Sequence, residues 1–198
     1  SAAERALGAA VIRLVTGLVR GLHRLEVEGA AGLPEAGAVL ICPNHVSDLD
    51  PVALAAALPK AVRGRSVWVA DRVRVFGHPV WRRLCRALRV FPVDETAPRD
   101  AVALAVEVLE RGEAQVWFPE GWRSADGRLL PFQAGVGHVI LAARAPVVPV
   151  FIEGTREVWP RDRALPRLGG RLRVIFGAPV PAEALAPGAT SKRGSTIS

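Results

Sequence analysis

Short valine-rich runs bounded by glycine or proline alternate along the chain with longer segments of helical periodicity. Runs of this kind are typical of β-strands, and they predict seven strands, at residues 23–29, 38–43, 66–70, 88–93, 114–119, 147–154 and 171–177. The periodicity of the intervening segments predicts helices at 51–58, 78–88, 98–111 and 134–143. This alternation predicts an α/β fold, in which a single layered domain has a largely parallel sheet flanked by helices.

Residues 6–22 predict an amphipathic helix ahead of that domain. Its predicted apolar face comprises Leu7, Ala10, Val11, Leu14, Val15, Leu18 and Leu22, and its other side Arg13, Thr16, Gly17, Arg20 and Arg24. A basic amphipathic helix can lie in the headgroup region of a membrane; the alternative is an ordinary helix that packs its apolar face on the domain. We divide the chain into a helix at 1–24, a domain at 25–187 and a flexible tail at 188–198.

The charge balance narrows the choice of partner. With 26 basic and 19 acidic residues the net charge is +7, which favours an anionic partner such as phosphate groups, a membrane surface or nucleic acid. The aromatic residues lie in apolar runs instead of alternating with basic ones, so nucleic acid is not expected. The two cysteines, Cys42 and Cys85, lack metal-binding spacing and lie in apolar contexts, which indicates buried thiols in a reducing compartment.

The aliphatic run at 38–43 is followed closely by His45, Ser47, Asp48 and Asp50. In α/β folds, ligand sites collect where strands end. A neutral imidazole can take a proton from a hydroxyl when a carboxylate holds its other ring nitrogen, and Asp50 can be that carboxylate. Asp50 before Pro51 is equally an N-cap with proline at the first helical position. Both readings can hold, with one carboxylate oxygen on backbone amides and the other on His45; a purely structural loop histidine is the alternative.

Two other chemistries fit this loop less well. His45, Asp48 and Asp50 form a thin ligand set for a metal ion, with no second histidine cluster nearby, so no metal site is predicted. A serine hydrolase is disfavoured because no GxSxG motif occurs and Ser47 is only two residues from His45.

A second polar loop follows the predicted strand at 114–119 and comprises Glu120, Gly121, Trp122, Arg123 and Ser124. An arginine fork suits phosphate or carboxylate, and a glycine permits close approach of the backbone. The glutamate can accept hydrogen bonds from substrate hydroxyls or orient the arginine. A surface Glu–Arg pair in a turn is the alternative; a tight turn is also predicted at 125–129.

Together the two loops resemble motifs of the glycerolipid acyltransferases, which are typified by 1-acylglycerol-3-phosphate acyltransferase. NHVSDLD at 44–50 is similar to the family's N-H-x-x-x-x-D motif, and FPEGWRS at 118–124 to its F-P-E-G-x-R-S motif. Further similar stretches are LRVFPVD at 88–94, PFQAGVG at 131–137 and VVPVFIEG at 147–154. The resemblance covers about residues 24–180.

The resemblance implies transfer of a fatty acyl group from acyl-CoA or acyl carrier protein to the hydroxyl of a lysophospholipid or related glycerolipid, without a cofactor. It implies His45 as general base and Asp50 as its orienting partner. It also implies a role in substrate binding for Asn44, Ser47, Glu120, Gly121, Arg123, Ser124 and Pro149. Of these, Glu120, Gly121 and Arg123 would bind the acceptor's glycerol-phosphate head, and Pro149 would shape the acyl-binding region.

Two positions depart from the family pattern. Asp94 is followed by Glu95 where the family has arginine, which predicts weaker binding of a phosphomonoester unless Arg99, Arg123 or another arginine substitutes. Trp122 stands where the family has threonine, and its indole can narrow the head-group site or stack on an acceptor. Glu95 also motivates an alternative function, a catalytically silent module that binds lipid or polyanions on the same scaffold.

The sequence thus predicts a peripheral membrane acyltransferase whose partners are a lipid acceptor and an acyl thioester. No apolar run is long enough to span a bilayer. We therefore expect residues 6–22 to dock the protein on the cytoplasmic, inner face of the cell membrane.

Overall fold

Seven strands form one sheet in the residues that the computed structural model describes, which are 2–72, 79–94, 97–160 and 163–185. The strands are β1 (Arg24–Glu28), β2 (Val39–Pro43), β3 (Ser66–Asp71), β4 (Val90–Val93), β5 (Ala114–Val116), β6 (Val147–Glu153) and β7 (Arg171–Phe176). Their order across the sheet is β1-β7-β6-β2-β5-β3-β4. Glu95 and the predicted tail at 188–198 lie outside the described residues.

All neighbouring strands pair in parallel except β6 and β7, which are antiparallel. Strands β1 and β7 therefore run opposite to the other five. This arrangement confirms the predicted largely parallel sheet. Strand β5 is shorter than predicted and ends at Val116, before Pro119, a residue that has no N–H to donate to a neighbouring strand.

The helices fill the connections between strands. They are α1 (Ala2–Leu22), α2 (Asp50–Ala57), α3 (Lys60–Arg65), α4 (Pro79–Ala87), α5 (Pro98–Glu110), α6 (Ala134–Ala143) and α7 (Thr155–Val158). Short 3-10 helices occupy Ala30–Gly32 and Ala182–Leu185. Helices α3 and α7 were not predicted, because four to six residues are too few to show a helical period.

The sheet is covered on both faces, which explains why its strands are nearly continuous apolar runs. Along β2, Val39 and Ile41 pack with α2 on one face, and Leu40 packs with α5 and α6 on the other. All three side chains are fully buried.

The carboxyl ends of β2 and β5 form a crevice in this sheet. The two strands are parallel neighbours, yet β2 leads into α2 on one face and β5 leads towards α6 on the other. Connections that leave adjacent strands in opposite directions open a crevice at the strand ends, which is the usual ligand position in open α/β sheets. His45 follows β2 here, and Glu120 follows β5.

Helix α1 packs across α2 and α4. Some of its apolar residues are buried in this contact and others are exposed to solvent. Val19 is buried, as is Thr16, which was predicted on the polar side. Four leucines of the predicted apolar face remain exposed instead: Leu7, Leu14, Leu18 and Leu22. Arg20, also predicted on the outer side, donates to the Ala56 carbonyl at 2.5 Å, near the end of α2.

Glycine at position 8 permits the contact between α1 and α4. A Cβ atom at Gly8 would lie 1.9 Å from the Ala87 carbonyl oxygen, whereas a Cβ at Gly17 would meet nothing within 4 Å. The close packing of the N-terminal half of α1 on α4 therefore requires glycine, which has no side chain, at position 8.

We expect Gly8→Ala to lower the free energy of unfolding by roughly 1–3 kcal/mol, because backbone must move to admit the methyl group. Gly17→Ala is the matched control, and should raise it by up to about 1 kcal/mol through helix propensity. Urea denaturation of both variants measures the difference; equal effects would contradict the close packing of α1 on α4.

Candidate active site

His45 and Asp50 form a hydrogen-bonded pair at the end of β2. The His45 Nδ1 atom lies 2.8 Å from Asp50 Oδ2. The Asp50 side chain is fully buried, and 17% of the His45 side chain is exposed. Two backbone N–H groups, of Val46 and Ser47, also donate to Asp50 Oδ2, at 2.6 and 2.7 Å. That oxygen is therefore an acceptor, so Nδ1 carries a hydrogen, and in the neutral ring the lone pair is on Nε2.

The second oxygen of Asp50 is also occupied. The Thr155 hydroxyl, fully buried at the start of α7, donates to Asp50 Oδ1 at 2.5 Å. The N-cap expectation for Asp50 is wrong in its detail: the residue is the first of α2, and its carboxylate turns back to the preceding loop. One oxygen takes both the amides and His45, and the other takes Thr155.

The backbone of His45 is fixed by the loop that follows β5. Its N–H donates to Glu120 Oε1 at 2.7 Å, and its carbonyl accepts from the Ser124 N–H at 2.8 Å. The other Glu120 oxygen accepts from the Leu130 N–H at 2.7 Å. Glu120 is 1% exposed, so its carboxylate depends on these backbone donors. It joins the two motif loops across the crevice.

Four of the residues predicted to bind substrate form hydrogen bonds inside the protein. Asn44 exchanges two hydrogen bonds with the backbone of Ile152, and Ser47 donates to the Trp159 carbonyl at 2.7 Å. Ser124 donates to an oxygen of the Asp126 side chain. Asn44, Ser47, Ser124 and Glu120 are all buried. These contacts hold the two loops in place, and the role of the four residues in substrate binding stays a prediction.

Arg123, which was predicted to bind the acceptor's head group, forms an ion pair with a partly exposed carboxylate. Its guanidinium pairs with Asp48, whose side chain is 53% exposed while that of Arg123 is 8% exposed. Gly121 has a positive φ of 74°, and a Cβ there would lie 3.2 Å from Gln133 Cγ. Trp122 beside it is 49% exposed, which leaves the indole free to stack on a ligand.

An apolar pocket of about 190 Å³ adjoins the pair. The ring of Phe118 packs against the His45 ring with a centroid separation of 4.3 Å, and the same Phe118 lines the pocket. The other walls come from α1, α2, β3 and β4 and include Val11, Val15, Val52, Ala55, Trp68 and Ala70. Pro149 does not line it, because it lies on the opposite face of β6 from the buried Val148 and Val150. Its predicted part in acyl binding therefore does not fit this pocket.

Comparison with known proteins places this geometry in a family. The profile of the family described as Acyltransferase matches residues 24–153. The chain belongs to the acyltransferase family. This finding confirms the resemblance that the two motif loops suggested.

Two relatives of this acyltransferase-family chain are 1-acyl-sn-glycerol-3-phosphate acyltransferases. The 1-acyl-sn-glycerol-3-phosphate acyltransferase alpha of Bos taurus is 30% identical over 184 residues, covering 89% of this chain and 62% of the relative. A chloroplastic 1-acyl-sn-glycerol-3-phosphate acyltransferase of Brassica napus is 28% identical over 162 residues, covering 80% of this chain and 45% of the relative. The chain thus spans only part of the length of each relative.

The fold is shared with a solved acyltransferase. The crystal structure of the 1-acyl-sn-glycerophosphate acyltransferase PlsC of Thermotoga maritima superimposes with a TM-score of 0.71. The alignment covers 91% of this chain and 73% of that one, at 22% sequence identity.

Among the described residues no metal-binding cluster is found, and the cysteine of β2 is a protonated thiol. Within the described ranges no cluster of three or more His, Cys, Asp or Glu residues could hold a metal ion. Burial raises the pKa of the Cys42 thiol to about 12, so this nearby cysteine stays protonated and is a poor nucleophile at neutral pH.

Thr155 is the functional candidate that the sequence reading missed. It lies 105 positions from Asp50 in the chain, just beyond the last residue matched by the family profile. Only one signal pointed to it: a hydroxyl residue directly after Gly154, at the carboxyl end of a predicted strand.

Proposed function

We propose that this chain transfers a fatty acyl group from a thioester, acyl-CoA or acyl carrier protein, to the hydroxyl of a lysophospholipid. The observation that carries the proposal is the His45–Asp50 pair at 2.8 Å beside an apolar pocket. The names of the relatives favour 1-acyl-sn-glycerol-3-phosphate as the acceptor.

In the proposed reaction, His45 Nε2 takes the proton from the acceptor hydroxyl as its oxygen attacks the thioester carbonyl. Asp50 holds the ring through Nδ1 and stabilises the imidazolium that forms. The carbon–sulfur bond then breaks, the ester remains on the acceptor, and the imidazolium returns its proton to the departing thiolate. No acyl-enzyme intermediate is needed, which agrees with a Cys42 that stays a thiol.

The apolar pocket is the proposed site of the acyl chain. Its lining is almost wholly hydrocarbon, and it begins at Phe118, which touches the His45 ring. A chain lying there would bring its thioester towards the base.

Arg123 and Gly121 remain in the proposed head-group site. An acceptor phosphate would displace the exposed Asp48 carboxylate from the Arg123 guanidinium. Phosphate can take two parallel hydrogen bonds from an arginine, so this exchange is chemically favourable.

Membrane contact through α1 is part of the proposal. The exposed leucines of that helix form an apolar strip beside Arg13, and such a helix can lie at a lipid surface. Among the described residues no helix is long and apolar enough to cross a membrane. Both cysteines are free thiols, which agrees with the cytoplasmic face.

We expect His45→Ala to lower kcat for thiol release from a long-chain acyl-CoA by roughly 10²–10⁴-fold, because the general base is lost. His138→Ala, at an exposed position on α6, is the control and should keep full activity. Release is followed with a thiol reagent and a panel of lysolipid acceptors. A His45→Ala enzyme that turns over normally would remove the proposed base.

Thr155→Val keeps the shape of the side chain but removes the hydrogen bond to Asp50. We expect kcat to fall by about tenfold with KM nearly unchanged, since one hydrogen bond to a charged group contributes roughly 1.5–3 kcal/mol. Thr155→Ser should restore kcat. If kcat is normal in the valine variant while its melting temperature drops, Thr155 is structural only.

Ala70→Leu should shorten the acyl chain that the enzyme accepts, because the larger side chain fills part of the pocket. Displacing two methylene groups would disfavour the longest substrates by about tenfold, at about 0.8 kcal/mol per methylene. The measurement is the ratio of kcat/KM values for long and short acyl-CoA. An unchanged ratio, with intact folding, would place the acyl chain elsewhere.

A further inference from the structure

The segment from 163 to 170, here named the leucine loop, carries Leu165 and Leu168 with 74% and 80% of their surfaces exposed. These are the most exposed large apolar side chains in the described part of the chain. The loop lies beyond residue 153, where the match to the family profile ends. Neither of the two motif loops includes it.

The leucine loop is fastened at both ends by hydrogen bonds. At its start, the Trp159 indole donates to the Arg163 carbonyl at 3.0 Å, and the Arg167 N–H donates to the Val158 carbonyl at 2.8 Å. At its end, Gly169 accepts from His23 Nδ1 at 2.7 Å. The two leucines are therefore presented outward by a braced backbone.

These attachments place the loop between the candidate active site and α1. Trp159, four positions before the loop, accepts the hydrogen bond from the buried Ser47 of the loop after β2. His23 directly follows α1, next to the exposed Leu22. The loop also connects the carboxyl end of β6, through α7, to β7, so it lies at the same edge of the sheet as His45.

The charge of the leucine loop favours an anionic partner. Arg163 and Arg167 are exposed, and no acidic residue occurs between positions 163 and 170. Arg24, which follows His23, pairs with Glu26 at 3.0 Å but still has 80% of its side chain exposed. Leucines flanked by arginines suit the boundary between lipid headgroups and acyl chains, where each group finds its own environment.

We propose that the leucine loop inserts into an anionic phospholipid surface and forms a membrane contact separate from α1. Leu165 and Leu168 enter the acyl boundary, and Arg163 and Arg167 pair with lipid phosphates. The contact turns the carboxyl edge of the sheet, and with it His45, towards the bilayer. Its purpose rests on the proposed function, but its existence does not, because lipid binding needs no turnover.

The test measures partition of the protein into sucrose-loaded vesicles of phosphatidylcholine with phosphatidylglycerol. The double variant Leu165→Ser, Leu168→Ser should bind about tenfold more weakly. Even partial burial of two leucine side chains in the bilayer raises the affinity for membrane by about that factor. The matched control is Leu141→Ser, Leu185→Ser, which changes two exposed leucines on α6 and the last 3-10 helix. The control should bind like the unchanged protein.

Insertion itself is detected with an environment-sensitive fluorophore on Leu165→Cys, whose emission should shift to the blue on adding vesicles. The same label on Leu141→Cys should not shift. Unchanged partition of the leucine-loop variant would overturn the proposal. So would a lipid-free dimer that the double substitution dissociates, because a second copy would then cover the loop.

A separate assay keeps this test apart from the proposed reaction. With donor and acceptor dissolved in detergent micelles, the leucine-loop variant should release thiol as fast as the unchanged protein. Weak vesicle binding with normal turnover in micelles supports the proposal. Turnover absent in every variant and in the unchanged protein would reject the acyltransferase activity and leave the vesicle result standing.

Discussion

The buried carboxylate of Asp50 is the group on which the candidate site depends. A carboxylate removed from water is costly unless hydrogen bonds replace its hydration. Two backbone N–H groups of its own loop, the His45 ring and the Thr155 hydroxyl supply those bonds. The same four contacts shape the turn between β2 and α2, orient the imidazole and fasten the end of β6 to the loop. The contacts that orient the His45 ring are therefore the same ones that stabilise this part of the fold.

Glu120 repeats this arrangement on the other side of the crevice. Its two oxygens accept from backbone N–H groups of His45 and Leu130, so the loops after β2 and β5 hold each other. A site fastened by two buried carboxylates is organised before substrate arrives, which lowers the cost of reaching the reactive geometry. Arg123 and Asp48 form an ion pair beside this site, and Phe118 packs against the His45 ring and lines the apolar pocket.

The sequence predicted much of the fold because apolar runs and helical periods are local signals. All seven strands were anticipated, and the loops that hold His45 and Glu120 meet because parallel strands end at one edge. Local patterns could not reveal that Thr155 contacts Asp50, or that Asn44 binds the backbone of Ile152, since these partners lie more than 100 positions apart. For the same reason the sequence did not show that Ser47 and Glu120 bind backbone groups of distant segments. In α1 the period was right, but the buried face was not, because the helix packs on α4 at Gly8 and buries Thr16 while four leucines stay exposed.

The proposed reaction requires that Asp50 fixes the neutral His45 ring with its proton on Nδ1 and its lone pair on Nε2. Nitrogen-15 NMR of labelled histidine at a pH where the ring is neutral tests this most directly, with His45→Ala used to assign the signals. We expect a protonated Nδ1 and an unprotonated Nε2 for His45. A ring that carries its proton on Nε2, or that averages between tautomers as free histidine does, would contradict it.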